Sequence, residues 1–427
     1  MSTTANTKKS RENFERYWFI PLACALVLLA EFSRYLTASH IGSQVFTSRN
    51  LLVLGGFSLA LWAATNIATH QARARRSSWP LLVVPLALVV WMLLSRTWVD
   101  YPAATPVLFE WLYGVVLVLL IGLCAWSIPG SKWFGTALLG AVFVIAVIGL
   151  AEKISDTHLP LSNLHNPYRQ QWAITSVFIG QNHLAASLAL LLPLLAGFGL
   201  TWRGWRRWLS LVTIAGGLIA VFFTGSTLTL LALVLATLVF VAVAIYKVEP
   251  RQRTHLVLLT LTIGLALTLG WMSMPDSLRD RVSLASLGVR QSFETRLELA
   301  KQGVELIQKA PLRGLGPGAT SELVAVSLNN QPTVRALHNL SLEFAVTFGL
   351  PAALIVFGWL VWIVLRIVRR LPVSGQPWLA AGVLASLVAL LIIQAVPSTF
   401  EGVRAPFLVI GFALALVLRS RPVKLGK

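Results

Sequence analysis

The chain has 427 residues, of which 56% are hydrophobic and only 12% are charged. This composition lies far outside that of soluble domains, and the many long apolar runs exclude a single buried core. A formal net charge of +19 would suggest nucleic acid as the partner of a soluble domain. In a membrane protein, the basic residues must first be assigned to the side of the membrane on which their loops lie. The sequence therefore predicts an all-α polytopic membrane protein, with membrane lipids and no nucleic acid among its partners.

Apolar segments recur along the whole chain, and most have the roughly 20 residues that cross a bilayer core of about 30 Å. The polar, basic segment before the first of them, with no small-residue cleavage site after it, predicts a retained first helix rather than a signal peptide. We count twelve spans: 17–36, 51–69, 79–95, 108–127, 133–151, 174–200, 208–223, 227–246, 254–273, 340–365, 378–396 and 404–419.

Lysine and arginine predict the orientation of these spans. In the short loops and tails they are concentrated on the side that holds both termini, as at 73–76 and 366–370. By the positive-inside rule, both termini are cytoplasmic. The chain then divides into transmembrane helices one to nine with short loops (1–273), one large outward loop (274–339), and helices ten to twelve with a cytoplasmic tail (340–427).

The outward loop 274–339 is long, polar and basic. Apolar residues recur within it at helical spacing, between a Ser292 cap and Pro311. We expect an amphipathic helix on the membrane surface, with its apolar stripe facing lipid or the helix bundle. The stripe comprises Phe293, Leu297, Ala300, Val304 and Ile307. A basic loop anchored in membrane at both ends is typical of a site for an anionic lipid-linked substrate.

His338 lies at the end of this loop, where span ten begins. An imidazole with its ordinary pKa of about 6.5 can accept a proton from a hydroxyl at neutral pH. The alternative interpretation is that His338 and Asn339 only cap the helix, and the residues alone leave both open. Glu343, one turn further along, could orient the His338 ring or hold an acceptor.

Five arginines are candidates for binding phosphate: Arg169, Arg290, Arg296, Arg313 and Arg335. Guanidinium groups bind phosphate oxygens in a bidentate manner and stay charged. For any one of them a solvated loop is the simpler explanation, but the concentration of the set on one side favours an anionic ligand. Arg169 and Arg296 rank first because each adjoins an apolar segment, where a charge is more often paired.

Other polar residues favour a structural role. Gln181, Asn182 and His183 open span six, where polar residues usually line a cavity or join helices. The run Gly314-Leu-Gly-Pro-Gly318 could bring backbone N–H groups near a phosphate, but it follows a helix and is more typical of a turn than of a P-loop. The outward segments have no Asp-x-Asp pair, and the chain has no Cys/His cluster at zinc spacing. The sequence therefore predicts neither a metal nor a cofactor.

Four segments together resemble the O-antigen ligase and O-antigen polymerase superfamily. They are Arg169 to His183, Thr224-Gly-Ser226, Arg296 to Gly316, and His338-Asn339 to Leu350. Their order, and the large outward loop before the tenth of twelve spans, also match. The sequence departs from the pattern at Gly180-Gln-Asn182, where relatives often have a proline before the asparagine, and at Thr224-Gly-Ser-Thr227, where many have Ser-Arg.

The resemblance implies an inverting, metal-independent glycosyltransferase of the GT-C class in the bacterial inner membrane. It would move a glycan from undecaprenyl diphosphate to an acceptor hydroxyl on the periplasmic face. His338 would activate that hydroxyl, and Arg169 and Arg296 would engage the diphosphate. In an O-antigen ligase the acceptor is the lipid A-core, and the product is lipopolysaccharide.

Alternatives of two kinds stay open. An O-antigen polymerase shares the donor and the topology, and a protein O-oligosaccharyltransferase of the superfamily would more often carry an extended C-terminal domain. A lipid-linked oligosaccharide flippase or an anion transporter would more often show internal repeats and charges in mid-membrane. The sequence shows no repeat, and its conspicuous charges lie at one interface. The ligase is therefore the favoured hypothesis.

Overall fold

The computed structural model describes residues 50, 53–56, 79–124, 128–160, 162–165, 173–247, 294–324, 336–371, 376–394 and 403–419. These residues form helices joined by turns and short loops. In chain order the helices are α1 (Trp79–Ser95), α2 (Ala104–Cys124), α3 (Ile128–Ser155), α4 (Gln181–Thr201), α5 (Trp205–Phe223), α6 (Thr227–Lys247), α7 (294–309), α8 (Ala319–Leu323), α9 (Leu340–Phe348), α10 (Leu350–Arg370), α11 (Pro377–Ile393) and α12 (Ala405–Arg419).

This architecture confirms the all-α polytopic membrane protein. Among the described helices, seven are long and apolar enough to cross a membrane, namely α1 to α6 and α10. Helices α11 and α12 are also apolar but shorter. The predicted spans 17–36 and 254–273, and nearly all of 51–69, lie outside the described residues, so the total of twelve stays a prediction.

Helices α4 and α11 form the centre of the bundle, and most of their residues are buried. They cross closely because each has a glycine at the contact. A β-carbon at Gly197 would lie 2.7 Å from the carbonyl oxygen of Trp378, and one at Gly382 would lie 2.6 Å from that of Pro193. The Ser386 hydroxyl also donates to the Leu190 carbonyl at 2.7 Å. Small residues at a contact let membrane helices approach in this way. Helix α6 packs against α11, and α5 and α12 pack against α4.

The predicted span ten (340–365) is two helices rather than one. α9 ends at Phe348 and α10 begins at Leu350, with Gly349 between them at φ 87° and ψ 161°. Only glycine adopts that region readily. The N–H of Leu350 donates to the Pro311 carbonyl at 2.8 Å, so the break is tied to the turn that follows α7. The short helix α9 is therefore separate from the long helix that crosses the membrane.

The start of span six also differs from the prediction. α4 begins at Gln181 rather than at 174, and residues 173–180 form a buried, non-helical segment. Ser176 in this segment has φ 50°. The apolar run was mistaken for helix because hydrophobicity does not distinguish a buried loop from a buried helical turn.

Helix α7 confirms the helix predicted in the outward loop, and it ends just before Pro311. Its packed face coincides with the predicted stripe only in part, at Ala300 and Ile307, which are half-buried. Leu299 and Leu306 are buried, whereas Leu297 and Val304 are 50% and 47% exposed. The packed residues lie a large part of a turn away from Leu297 and Val304 around the helix, so the helix rests on the bundle by one face and presents part of the apolar stripe outward.

Candidate functional site

His338 directly precedes α9 and has φ 51°. This is the left-handed region, which only a few per cent of non-glycine residues adopt, asparagine, aspartate and histidine more often than the others. Such a conformation costs about 1–3 kcal/mol and persists only where the surroundings fix it. Here the preceding Ala336 and Leu337 are 6% and 2% exposed, so the chain on the N-terminal side of His338 is held in the protein. Strain of this kind at a histidine is an independent reason to regard it as a functional residue.

Asn339, not His338, is the N-cap of α9. Its side-chain oxygen accepts the N–H of Leu342 at 3.1 Å, and its carbonyl accepts the N–H of Glu343 at 2.9 Å. Asparagine is among the best N-cap residues because its oxygen satisfies a backbone donor that the helix leaves open. Of the two residues that could cap the helix, His338 and Asn339, it is thus Asn339 that does so. Glu343 is buried in the first turn of α9, with 4% exposure.

Arg296 lies on the face of α7 that packs towards His338. It is two turns before Gly303, and residues seven apart share a helix face. At Gly303 a β-carbon would lie 3.3 Å from the side chain of Leu337 and 3.5 Å from that of Leu342, so this face meets the residues on both sides of His338. Burial lowers the pKa of the Arg296 guanidinium below its ordinary value, and an arginine side chain stays charged at neutral pH. A partly desolvated cation attracts an anion more strongly than a fully solvated one.

The glycine-rich run forms a turn, as predicted, and its N–H groups are used within the protein. Gly314 donates to the Ala310 carbonyl at 2.9 Å, Leu315 to that of Val346 at 2.7 Å, and Gly316 to that of Thr347 at 2.9 Å. These bonds fasten the end of α7 to the last turn of α9. The run therefore supports α9. Its three N–H groups are already bonded within the protein and are not available to a phosphate.

Gln394, at the C-terminal end of α11, is a residue that sequence reasoning missed. Its backbone carbonyl accepts the N–H of Leu340 at 3.0 Å, and its side-chain oxygen accepts the hydroxyl of Ser341. Both partners lie in the first turn of α9, next to His338. The signal in the sequence was a glutamine directly after the apolar run of span eleven, although such a residue is common at a membrane interface.

The first turn of α4 lies beside this end of α11. The two helices are antiparallel, with Leu190 against Ser386 and Gly197 against Gly382. The same register places Asn182 level with Gln394. Gln181 and Asn182 are partly buried there, and His183 is 6% exposed. The structure therefore brings the start of α4 and the start of α9 to the same end of α11.

Glu152 fixes the segment that leads into α4, and sequence reasoning did not single it out. Its carboxylate accepts the N–H groups of Thr175 and Ser176 at 2.8 Å and 2.6 Å, and the Thr175 hydroxyl at 3.0 Å. It also pairs with Nδ1 of His158 at 2.7 Å. Glu152 is 5% exposed, and a buried carboxylate is tolerated because it is fully hydrogen-bonded. This network gives the non-helical segment 173–180 its fixed shape.

A partly buried ion pair joins α2 to the start of α12. Arg404 is 2% exposed, and its guanidinium pairs with the carboxylate of Glu110. The guanidinium also lies over the ring of Tyr113, 5.3 Å from the centroid. The residues next to this pair, Trp111 and Phe407, pack edge to face with centroids 6.2 Å apart. The pair therefore holds together two helices that line the cavity described next.

An apolar cavity of about 690 Å³ lies among α1, α2, α6, α9, α10, α11 and α12. At one end it is lined by Leu340 and Gln394, and along α10 it continues as far as Val368 and Leu371. Among the described residues that line it, Gln394 is the one with an amide side chain, and none is charged. The cavity thus runs along the membrane-crossing helices and meets polar groups next to His338.

The remaining predicted site residues are placed as follows. Arg313 is exposed in the turn after α7. Arg169, Arg290 and Arg335 lie outside the described residues. In the part of the chain that the structure describes, no group of three or more His, Cys, Asp or Glu is arranged to hold a metal ion.

Comparison with known proteins matches part of the chain to a protein family. Residues 209–357 match the family model described as O-antigen ligase. This match supports membership of the O-antigen ligase family. A search of curated proteins found no match. The matched region is about a third of the chain and runs from α5 into α10, so it includes α7, His338 and α9.

The match supports an O-antigen ligase or polymerase type of activity, and hence a glycosyltransferase-like membrane enzyme. The family in general implies lipid-linked polysaccharide and lipid A-core types of substrate. The matched region contains His338 and the residues of α7 and α9 packed around it.

Proposed function

We propose that the protein is an O-antigen ligase. It moves O-antigen polysaccharide from undecaprenyl diphosphate to lipid A-core, as an inverting, metal-independent glycosyltransferase of the GT-C class. The observation that carries the proposal is the position of a strained histidine, His338, two residues from Leu340 at the polar end of an apolar cavity. A base placed where hydrocarbon walls meet polar groups suits a substrate with a lipid tail and a reacting headgroup.

The cavity supports a lipid-linked donor. Its hydrocarbon walls favour transfer of a prenyl chain out of water, by roughly 25 cal/mol per Å² of apolar surface buried. The diphosphate would lie at the end marked by Leu340 and Gln394, within reach of the outward loop. Arg296 would bind it in a bidentate manner, and Arg169, Arg290, Arg313 and Arg335 are the further candidates for that role.

The proposed reaction is a single displacement. Nε2 or Nδ1 of His338 takes the proton from the acceptor hydroxyl as its oxygen attacks the anomeric carbon of the donor sugar. The bond from that carbon to the diphosphate oxygen breaks, and undecaprenyl diphosphate leaves with the charge that the arginines stabilise. Attack opposite the leaving group inverts the anomeric configuration. Every atom and charge is accounted for without a metal or a cofactor.

The other polar residues have supporting roles in this proposal. Asn339 caps α9 and so holds His338 in place, while Glu343, one turn further, orients the imidazole or the acceptor. Gln181, Asn182 and His183 line the opposite side of the site, at the start of α4. The positive-inside rule supports cytoplasmic termini and a site on the periplasmic face of the inner membrane.

The test uses the purified protein with undecaprenyl-diphosphate-linked O-antigen and lipid A-core, in EDTA, with the glycan followed on a gel. We expect the wild type to transfer glycan to the core and His338→Ala to lose that transfer. Lengthening of the lipid-linked glycan without transfer to core would identify a polymerase instead. Absence of both reactions would overturn the proposal that the protein is an enzyme and would favour a flippase or transporter.

A further inference from the structure

Two hydrogen bonds join the end of α11 to the first turn of α9, and both end on Gln394. The Gln394 carbonyl accepts the Leu340 N–H at 3.0 Å, and the Gln394 side-chain oxygen accepts the Ser341 hydroxyl. The side-chain nitrogen of Gln394 donates to the Leu391 carbonyl at 3.0 Å, which fixes the orientation of the amide. The side chain of Gln394 is therefore held at one end by its own helix and bonded at the other to α9.

These bonds complete the start of α9. The first N–H groups of a helix have no partner within the helix. The Asn339 side chain satisfies that of Leu342, and Gln394 satisfies that of Leu340. His338 comes immediately before this set, in the left-handed conformation that only its surroundings can maintain. The chain after His338 is thus fixed partly by its own cap and partly by a different helix.

Helix α11 is a firm support for this contact. Twelve of its 17 residues are buried, and it packs against both α4 and α6. Gln394 and Leu340 both line the end of the apolar cavity. A lipid chain in the cavity would therefore touch the same two residues that set where α9 begins.

We propose that Gln394 is a positioning residue that holds His338 at the end of the cavity through the hydroxyl of Ser341. This inference rests on the proposed function, because it assigns Gln394 a role in placing the proposed base. Gln394 does not exchange a proton with the substrate. It lowers the cost of reaching the reactive geometry, since a general base displaced by even about 1 Å loses much of its effect.

The experiment combines Gln394→Ala, Ser341→Ala and the double variant, with kcat and KM for the lipid-linked donor. Each single variant should lose about 10-fold in kcat, with KM nearly unchanged in Ser341→Ala, because Ser341 does not line the cavity. The double variant should lose no more in kcat than either single one, because the two residues act through one bond. Ser341→Thr keeps the hydroxyl and should restore most of kcat. The control is Ser386→Ala, which removes a buried bond of the same helix away from the site and should leave kcat unchanged.

A second measurement does not depend on transfer. Hydrogen exchange of the peptide covering 338–343 should be faster in Gln394→Ala and Ser341→Ala than in the wild type, and unchanged in Ser386→Ala. If the protein lengthens the lipid-linked glycan instead of transferring it to core, the ligase proposal fails. The role of Gln394 in positioning His338 is then tested by measuring the rate of glycan lengthening in the same variants. If neither reaction occurs, exchange alone decides whether Gln394 positions the segment.

Three results would overturn the inference. They are additive losses in the double variant, a change confined to KM, or unaltered exchange of 338–343. If Gln394→Ala does not fold, as judged by gel filtration in detergent, the comparison of Ser341→Ala with Ser341→Thr decides in its place.

Discussion

Gly314 lies directly against the carbonyl oxygen of Thr347, so closely that a β-carbon at Gly314 would overlap that oxygen. The N–H of Gly316 donates to the same carbonyl at 2.9 Å, and Gly314 has φ 74°. The turn after α7 is thus fastened to the last turn of α9, while Gly303 of α7 meets Leu337 and Leu342 near its first turn. Helix α9 is therefore held at both ends by α7 and the turn that follows it.

We predict that Gly314→Ala destabilises this arrangement by about 2 kcal/mol or more, because alanine is strained at positive φ and its methyl group displaces α9. The free energy of unfolding in detergent, or the Tm, measures the effect, and transfer activity should fall with it. Gly140→Ala is the control, since Gly140 is in α3 with open space around it and alanine there favours the helix by up to about 1 kcal/mol. Equal Tm values for the two variants would contradict the close approach.

His338→Ala should lower transfer by about 100-fold or more, the usual contribution of a general base, while the protein still folds. His338→Gly separates chemistry from strain. Glycine adopts φ 51° without cost, so this variant should be at least as stable as His338→Ala and equally inactive. Transfer rates and Tm, measured on the same preparations, make the comparison. Recovery of activity in the glycine variant would show that backbone shape, and not the imidazole, is what matters.

Arg296→Lys should reduce transfer by about 10-fold or more, because an ammonium group cannot reproduce the bidentate contact of a guanidinium with a diphosphate. The matched control is Lys301→Gln on the same helix. Lys301 is exposed and forms a surface pair with Glu298 at 3.3 Å, so its charge should matter little. Initial rates at several donor concentrations check the prediction. Equal rates for Arg296→Lys and the wild type would remove Arg296 from the diphosphate site.

Glu152→Gln should lower stability by about 2–3 kcal/mol, because an amide oxygen replaces a carboxylate that accepts two backbone N–H groups and pairs with His158. Glu298→Gln provides the comparison at a 48% exposed side chain, where the loss should stay below about 1 kcal/mol. Thermal unfolding of both variants measures the difference. A Tm for Glu152→Gln no lower than that of Glu298→Gln would mean that segment 173–180 holds its shape without the carboxylate.

The sequence predicts the helices well where length and hydrophobicity decide them, as in α2, α3 and α6. It does not predict the break at Gly349, because both sides of the glycine are apolar and the run reads as one span. The signal was present in Gly349-Leu350-Pro351, since proline is favoured in the first turn of a helix. Nor does hydrophobicity reveal the loop before α4, whose backbone is satisfied by Glu152, a residue more than twenty positions earlier.

The candidate site is predictable only in part, for a related reason. The cap at Asn339 follows from local sequence, but the left-handed conformation of His338 results from what surrounds it. Gln394 and Ser341 are 53 positions apart, and Arg404 and Glu110 are 294 apart. Spacing along one chain carries no information about such pairs, because the packing of whole helices decides which ends meet.

Gly349 separates two helices, α9 and α10, that both line the cavity but differ in how firmly they are packed. α9 is bound to α11 and to the turn at 314–316, whereas α10 buries only Ala353, Trp359, Ile363 and Ile367 within the described bundle. Residues of α10 from Val356 to Val368 line the length of the cavity, whereas Leu340 and Phe344 of α9 line one end of it. One glycine therefore lets two consecutive helices close different parts of the same cavity.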